Sequence, residues 1–314
     1  MTILWIAAAV LAALFLLLVI FLVYMAKKVF GRGGSPYVID EVLKGQDLFL
    51  DRLNRGRAAL ASLTPERVET VSDDGLTLVG DLYYAAEPSD HYLICMHGFH
   101  STQHDFVCAV DFFLSLGYNV LLAAQRTHGD SEGKWITFGV KERFDCRSWC
   151  HYLINRFGDG IGIVLDGISM GASTVLMATE LDLPKNVKAV MADCGYTSPW
   201  EIVCDVAKRS MHIPKYPFMP LFRLITKLTA GFDLKEVSAV SAMEKNEKYP
   251  VLFIHGLADD FVPHDMSVRS YEACRAPKKL VSIPDAGHGL SFLVDEAACR
   301  ESCTAFLLKA KDLT

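Results

Sequence analysis

Gly167-Ile168-Ser169-Met170-Gly171 follows directly on the apolar run Ile161–Leu165 and leads directly into a helix-forming stretch. A strand, a tight turn and a helix in that order hold a serine hydroxyl at a sharp bend above the carboxyl edge of a sheet. The two glycines are required because a side chain at either place collides with the neighbouring strand and helix. Five residues alone are a weak signal, and two segments nearer the carboxyl terminus give them weight. Asp259 lies in His255-Gly256-Leu257-Ala258-Asp259, and His288 lies in Ala286-Gly287-His288. Nucleophile, acid and base thus succeed one another in the order that lets them meet above a sheet of this kind. A hydroxyl needs such company, because it is a poor nucleophile near neutral pH without a base in hydrogen-bond reach.

Outward from the elbow, short apolar runs alternate with amphipathic ones. Strands are expected at 92–96, 119–123, 161–166, 189–192, 251–255 and 279–283, and helices at 105–116, 141–157, 170–181, 264–274 and from Asp295 onward. A hairpin precedes them, Arg67–Ser72 and Leu76–Tyr84 around the turn Asp73-Asp74-Gly75. This alternation specifies a mostly parallel sheet covered on both faces, in a domain spanning 67–314. The rhythm breaks between Asp193 and Val251. Prolines within Met211–Phe222 forbid one regular helix there. The insertion, at about 196–249, is expected to form a small lid over the site, the alternative being a peripheral helical excursion that never touches substrate.

Ahead of the domain, Ile3 to Met25 carries no charge. As a helix those residues reach about 34 Å, enough to cross a bilayer core of about 30 Å. Nothing basic precedes the run, whereas Lys27, Lys28 and Arg32 come after it. That favours an uncleaved single-pass anchor (residues 1–30) over a secretory signal, with the main domain on the cytoplasmic side of the cell membrane. Gly31–Pro36 reads as a flexible break. Val38–Leu63 has helical spacing, so 31–66 forms a linker and a helix.

The chain has a net charge of −6 and no basic stripe that would recruit nucleic acid. Its nine cysteines are scattered, odd in number and without a CxxC pair, as expected of reduced and mostly buried thiols. His100 and His104 are four apart, but no third ligand is apparent, so they read as loop or cap histidines and not as zinc ligands. His128 and His255 fall at strand ends and read as structural, and Asp166 as a brace for the elbow.

From Arg67 to Leu308 the sequence resembles the α/β-hydrolase superfamily, and within it the membrane-anchored bacterial esterases and serine aminopeptidase-like hydrolases. The residues that carry the likeness are His97-Gly98-Phe99, Gln125–Gly133, the Ser169 elbow, Asp193-Cys194-Gly195-Tyr196, the segment from Asp259 to Val262-Pro263, and the His288 segment. Two places depart from the pattern: Ala124 stands where an aspartate is usual, and Thr127 where a glycine or alanine is usual. The resemblance implies an eight-stranded sheet and a hydrolase with Ser169 as nucleophile, His288 as base and Asp259 as acid, Asp260 being the rival acid. It also implies an oxyanion hole formed by the main-chain N–H groups of Phe99 and Met170, with no cofactor and no metal. The anchor and apolar lid point to small acyl or lipid-like esters as substrates. A serine peptidase or amidase is the second reading, and a catalytically silent membrane-tethered binding module the third.

Overall fold

Val, Ile and Leu fill the central runs, and they are buried on both faces, as parallel strands covered by helices must be. The computed structural model describes residues 1–33 and 46–313. Its strands are β1 Glu66–Val71, β2 Thr77–Tyr83, β3 His91–Met96, β4 Asn119–Ala123, β5 Gly162–Ile168, β6 Val187–Asp193, β7 Val251–Gly256 and β8 Lys278–Ile283. They form one eight-stranded sheet in the order β1-β2-β4-β3-β5-β6-β7-β8. β2 is antiparallel to both neighbours, and every other pair except β1·β2 and β2·β4 is parallel. Strand addition reverses direction at β3, which leaves a crevice at the carboxyl ends of β3 and β5.

The helices are α1 Thr2–Phe30, α2 Asp47–Ala61, α3 Val110–Ser115, α4 Glu142–Phe157, α5 Met170–Ala178, α6 Pro199–Met211, α7 Phe218–Ala230, α8 Ala239–Lys245, α9 His264–Ala273, α10 Ser291–Val294 and α11 Glu296–Lys311. Alternating strand residues feed two cores. Ile94, Met96 and Leu165 pack with Trp149 of α4 and Val175 of α5. Leu93, Cys95 and Val164 pack on the opposite face with Phe113 of α3 and Leu307 of α11.

The helix expected at 105–116 is broken into a 3-10 turn, Gln103–Phe106, and the short α3. The Asp105 carboxylate explains the break. It accepts from the Gly98 N–H at 3.1 Å and from the Ser101 hydroxyl, which ties the first turn to the loop after β3. The insertion folds as α6, α7 and α8. Ser198 and Ser238 cap α6 and α8 by accepting from the N–H groups of Glu201 and Ser241.

The N-terminal helix does not end in a loose tether. Leu22, Ala26 and Phe30 are buried at four-residue spacing, one face of the helix, while its first fifteen or so residues stand exposed. The Phe30 ring lies 5.5 Å from Phe138, 5.8 Å from Phe222 of α7 and 5.3 Å from Phe232, centroid to centroid. Its carbonyl accepts from the Ile136 N–H at 2.7 Å, and Gly31 forms a β-bridge with Trp135. The Arg32 guanidinium donates to the carbonyls of Ser131 and Gly129. Gly31 and Arg32, which open the expected break, are therefore fastened to the domain. Residues 34–45, which include the start of the helix expected at Val38–Leu63, lie outside the described residues. The remainder of that helix is α2, which docks on the domain through buried Leu53 and Leu60 and through Arg52, a donor to the Leu293 carbonyl at 2.5 Å.

Arg126 braces the segment after β4. Its guanidinium makes a two-pronged bond to Asp145 of α4, both prongs 2.6 Å, and another to Asp74 in the β1–β2 turn, both 2.9 Å. Ala124, at the departure from the usual aspartate, holds its turn with main-chain atoms alone: its N–H donates to Val79 and its carbonyl accepts from the Ser131 hydroxyl. Arg126→Met should leave the buried Asp145 carboxylate without its cation. The expected cost is about 3–5 kcal/mol of stability, read from denaturant unfolding; a loss below about 1 kcal/mol would show that the brace is dispensable.

Candidate active site

Close approach of main chains builds the elbow between β5 and α5. A Cβ added to Gly171 would lie 1.8 Å from the Met96 carbonyl oxygen, and one added to Gly167 would lie 2.3 Å from the Gly171 backbone. No side chain fits at either place. Between them Ser169 adopts φ 56° and ψ −113°, a left-handed conformation that costs a non-glycine residue about 1–3 kcal/mol. The Ser169 N–H donates to the Asp193 carbonyl at 2.8 Å, which fastens the bend to the end of β6.

The loops after β7 and β8 bring two partners to this serine. His288 Nε2 lies 2.8 Å from Ser169 Oγ, and its Nδ1 lies 2.7 Å from Asp259 Oδ2. Asp259 Oδ1 accepts from the N–H groups of Phe261 and Val262 at 2.9 and 2.8 Å. Burial opposes the charge on Asp259, but the hydrogen bonds from His255 and His288 outweigh it and hold the carboxyl well below the usual carboxylate range. An ionised Asp259 favours the His288 tautomer with hydrogen on Nδ1, which leaves the unprotonated Nε2 facing the Ser169 hydroxyl. Asp260 is exposed, and its main-chain carbonyl accepts from Arg209 of α6.

Met170 opens α5, so its N–H belongs to the first helical turn, where donors have no partner within the helix. Phe99 comes after Gly98, which lies beside the elbow: a Cβ there would make ordinary contacts, 3.4 Å from Asp105 Oδ2 and 3.6 Å from the Ser169 Cβ. Buried histidines hydrogen-bond the loop carrying Phe99 and its neighbour after β4. His97 is fully buried and its Nε2 accepts from the Gln125 N–H, while the His128 Nε2 accepts from the His100 N–H. Burial depresses the pKa of His97, His100 and His128, which keeps all three neutral near pH 7. His100 lines the cavity beside Ser169, and the His104 side chain lies outside the described residues.

His255, read from sequence as a structural strand-end residue, sits directly against the acid. Its Nε2 is 3.1 Å from Asp259 Oδ2 and 3.0 Å from the Val262 carbonyl, and its Nδ1 is 2.7 Å from the Ser267 hydroxyl. Two acceptors at Nε2 assign the ring hydrogen there, so His255 donates to Asp259 from below while His288 donates from the site. The spacing of four between His255 and Asp259 was the available signal. Cys194, which the sequence marks only as part of its motif, completes a group with Asp259 and His288 whose ligand atoms lie within 4.8 Å of one another. Burial pushes the Cys194 thiol pKa well up, so it offers a neutral thiol and not a thiolate.

Ser169 opens into a cavity of about 720 Å³ whose lining is largely apolar. Phe99 and Phe138 come from the core domain, Ile202 and Phe222 from α6 and α7, and Leu22 and Met25 from the N-terminal helix. The charged residues along it are Lys27, Lys28 and Arg32; no carboxylate is among the described lining residues.

A sheet of this order, with a serine elbow after β5 and a histidine–aspartate pair after β8 and β7, defines an α/β-hydrolase. The protein is a hydrolase of the serine esterase and peptidase type. The chain belongs to the prolyl oligopeptidase family, whose model matches residues 104–313. It is similar to protein YqkD of Bacillus subtilis, 30% identical over 233 residues covering 74% of this chain and 76% of that one. It is similar also to protein bem46 of Schizosaccharomyces pombe, 25% identical over 236 residues and 73% of each chain. Among solved structures, the esterase Pf2001 of Pyrococcus furiosus superposes with a TM-score of 0.63 at 23% identity, over 79% of this chain and 93% of that one. The acylaminoacyl peptidase of Pyrococcus horikoshii gives 0.57 at 18% identity, over 79% and 41%.

Behind the elbow two carboxyl groups are buried together. Burial and the neighbouring Asp193 push Asp166 up to about 8, and burial pushes Asp193 up to about 6 despite nearby histidines and a bond from the Ser291 hydroxyl. A carboxyl whose folded pKa is raised favours the folded state fully at pH below about 4, and that contribution is lost as pH rises through 8. Asp166→Asn carries no such dependence. Its melting temperature relative to the parent should therefore climb between pH 5 and pH 8, measured by thermal unfolding in matched buffers; a difference flat across that range would mean Asp166 is already ionised.

Proposed function

We propose that the protein hydrolyses carboxylic esters through a serine acyl-enzyme. The observation that carries this reading is the continuous chain of short hydrogen bonds, Ser169 to His288 to Asp259, at an apolar cavity. His288 Nε2 takes the Ser169 proton as Oγ bonds to the ester carbonyl carbon. The carbonyl oxygen becomes an oxyanion held by the N–H groups of Met170 and Phe99. As the intermediate collapses, the bond to the alcohol breaks and His288 returns the proton to the departing oxygen. Water then repeats the sequence on the acyl-enzyme and releases the carboxylic acid. Asp259 stabilises the imidazolium in both halves, and His255 positions Asp259 without touching substrate.

The cavity points to the substrate class. Its size suits an acyl group and its lining offers little to a peptide backbone. An amidase or peptidase is the second reading, favoured by the family membership and by the likeness to an acylaminoacyl peptidase. Against an aminopeptidase stands the absence of a carboxylate among the described lining residues, since a peptide ammonium needs an anionic partner. The insertion α6–α8 is read as a lid, since α6 and α7 supply part of the cavity wall. The helix α1, with a mean hydropathy of 3.3 over its most apolar stretch, is read as an uncleaved membrane anchor with the domain on the cytoplasmic side. A removable signal peptide would not supply a buried wall of the site.

Ser169→Ala should abolish labelling by a fluorophosphonate and lower p-nitrophenyl ester turnover by about 10⁴-fold or more, and Asp259→Asn by about 10⁴-fold. Asp260→Asn should stay within about threefold of the parent, since its side chain is exposed. Retained turnover in Ser169→Ala, or faster cleavage of aminoacyl amides than of matched esters, would displace the ester reading. Orientation is tested separately. The native cysteines are buried or half-buried, so the exposed Glu87→Cys variant is labelled with an impermeant maleimide. Labelling is expected only after cell lysis, and labelling of intact cells would reverse the topology.

A further inference from the structure

The apolar run of α1 and the cavity at Ser169 share residues. Phe21, Leu22 and Met25 belong to the stretch long and apolar enough to cross a membrane, and all three line the cavity that holds Ser169. Phe21 is 46% exposed while it borders the cavity, and Leu22 is buried. The membrane-facing surface and the wall of the site are therefore two sides of one helical turn. Lys27 and Lys28, one turn further on, mark the depth at which basic side chains meet head groups.

The neighbouring insertion helix has the same double character. α7 packs along α1 and buries Phe222 and Ile225, yet it exposes Leu224 (52%) and Leu228 (76%), four apart on one face. Tyr216, in the turn before it, is 70% exposed. Apolar side chains that project beside a membrane helix sit in the interface and not in water. With the carboxyl end of α1 fixed to the domain by Phe30, Gly31 and Arg32, the cavity is held at that interface.

We propose that the carboxyl-terminal turns of the membrane helix form the acyl-binding wall of the site, so that the substrate is a long-chain lipid ester whose chain enters laterally from the bilayer. This deepens the ester-hydrolase reading and rests on it. A chain that slides from bilayer to cavity along Phe21, Leu22 and Met25 stays in apolar surroundings throughout, so chains too insoluble to arrive through water are the ones the site is built to accept. Specificity for chain length then lies in the anchor as well as in the catalytic domain. Met25 and Leu22 are its determinants, and α1 is part of the enzyme's binding surface.

The test uses the full chain in lipid nanodiscs. A fluorophosphonate with a long alkyl chain and a terminal diazirine is reacted with Ser169 and irradiated, and the crosslinked peptides are identified by mass spectrometry. Crosslinks to the peptide carrying Phe21–Met25 are expected; crosslinks confined to the core domain or to α6–α8 would overturn the proposal. In parallel, Met25→Trp fills the wall, and Tyr24→Trp alters the 59%-exposed neighbour that does not line the cavity. The ratio of kcat/KM for an oleoyl ester presented in the bilayer to that for a butyryl ester in solution should fall at least tenfold in Met25→Trp and less than twofold in Tyr24→Trp. An unchanged ratio in Met25→Trp, or an equal fall in both variants, sinks the idea. If Met25→Trp fails to fold, shown by lost phosphonate labelling, the crosslink in the parent decides. Failure of the ester reading looks different: the parent itself would neither label at Ser169 nor turn over the butyryl ester.

Discussion

Everything in the site depends on the crowding of main chains where β5 turns into α5. The Met96 carbonyl and the Gly171 α-carbon are so close that no side chain fits between strand and helix, and the Gly167 backbone presses equally on the helix start. Only in that tight corner is Ser169 held in a left-handed conformation, its hydroxyl lifted above the sheet edge. The parallel sheet then supplies the rest, with Cys194 after β6 and Asp285 in the loop after β8 also held at positive φ. β7 and β8 lie beyond β6 in order, so the loops at their carboxyl ends deliver Asp259 and His288 to the same edge as the elbow. The energy stored in these bends is offset by the packing of two cores, one on each face of the sheet.

Polar atoms buried behind the site are arranged so that the acid is the charged one. Asp259 receives four hydrogen bonds, from His255, His288 and two main-chain N–H groups, and stays ionised. Asp166 and Asp193, deeper and poorer in donors, hold their protons more tightly. Three carboxyl groups within one end of the sheet thus differ in charge because their hydrogen-bond partners differ.

Much of this architecture was legible in the residues. The central strands are short runs of Val, Ile and Leu buried on both faces, a pattern that few other structures accept, and β4 falls at 119–123 as its composition requires. The elbow was legible because two glycines and a serine at that spacing have a steric purpose. Less legible was α3, shortened because the Asp105 side chain bonds the Gly98 main chain, a contact between residues seven apart that no periodicity reveals. The role of His255 was hidden because a histidine at a strand end looks alike whether it meets a carbonyl or a carboxylate. Docking of α1 was the least visible of all. Leu22, Ala26 and Phe30 suit lipid and protein interior equally, so hydropathy alone does not say which face meets which.

One latch joins the insertion to the acid. At the end of α6 the Arg209 guanidinium donates to the main-chain carbonyls of Asp260 and Phe261, immediately after Asp259, and the Phe261 ring lies 5.0 Å from the His288 ring. Any outward swing of that helix must either part these bonds or tug the loop along with it. The place of that helix and the alignment of the Ser169, His288 and Asp259 side chains are consequently geared to each other.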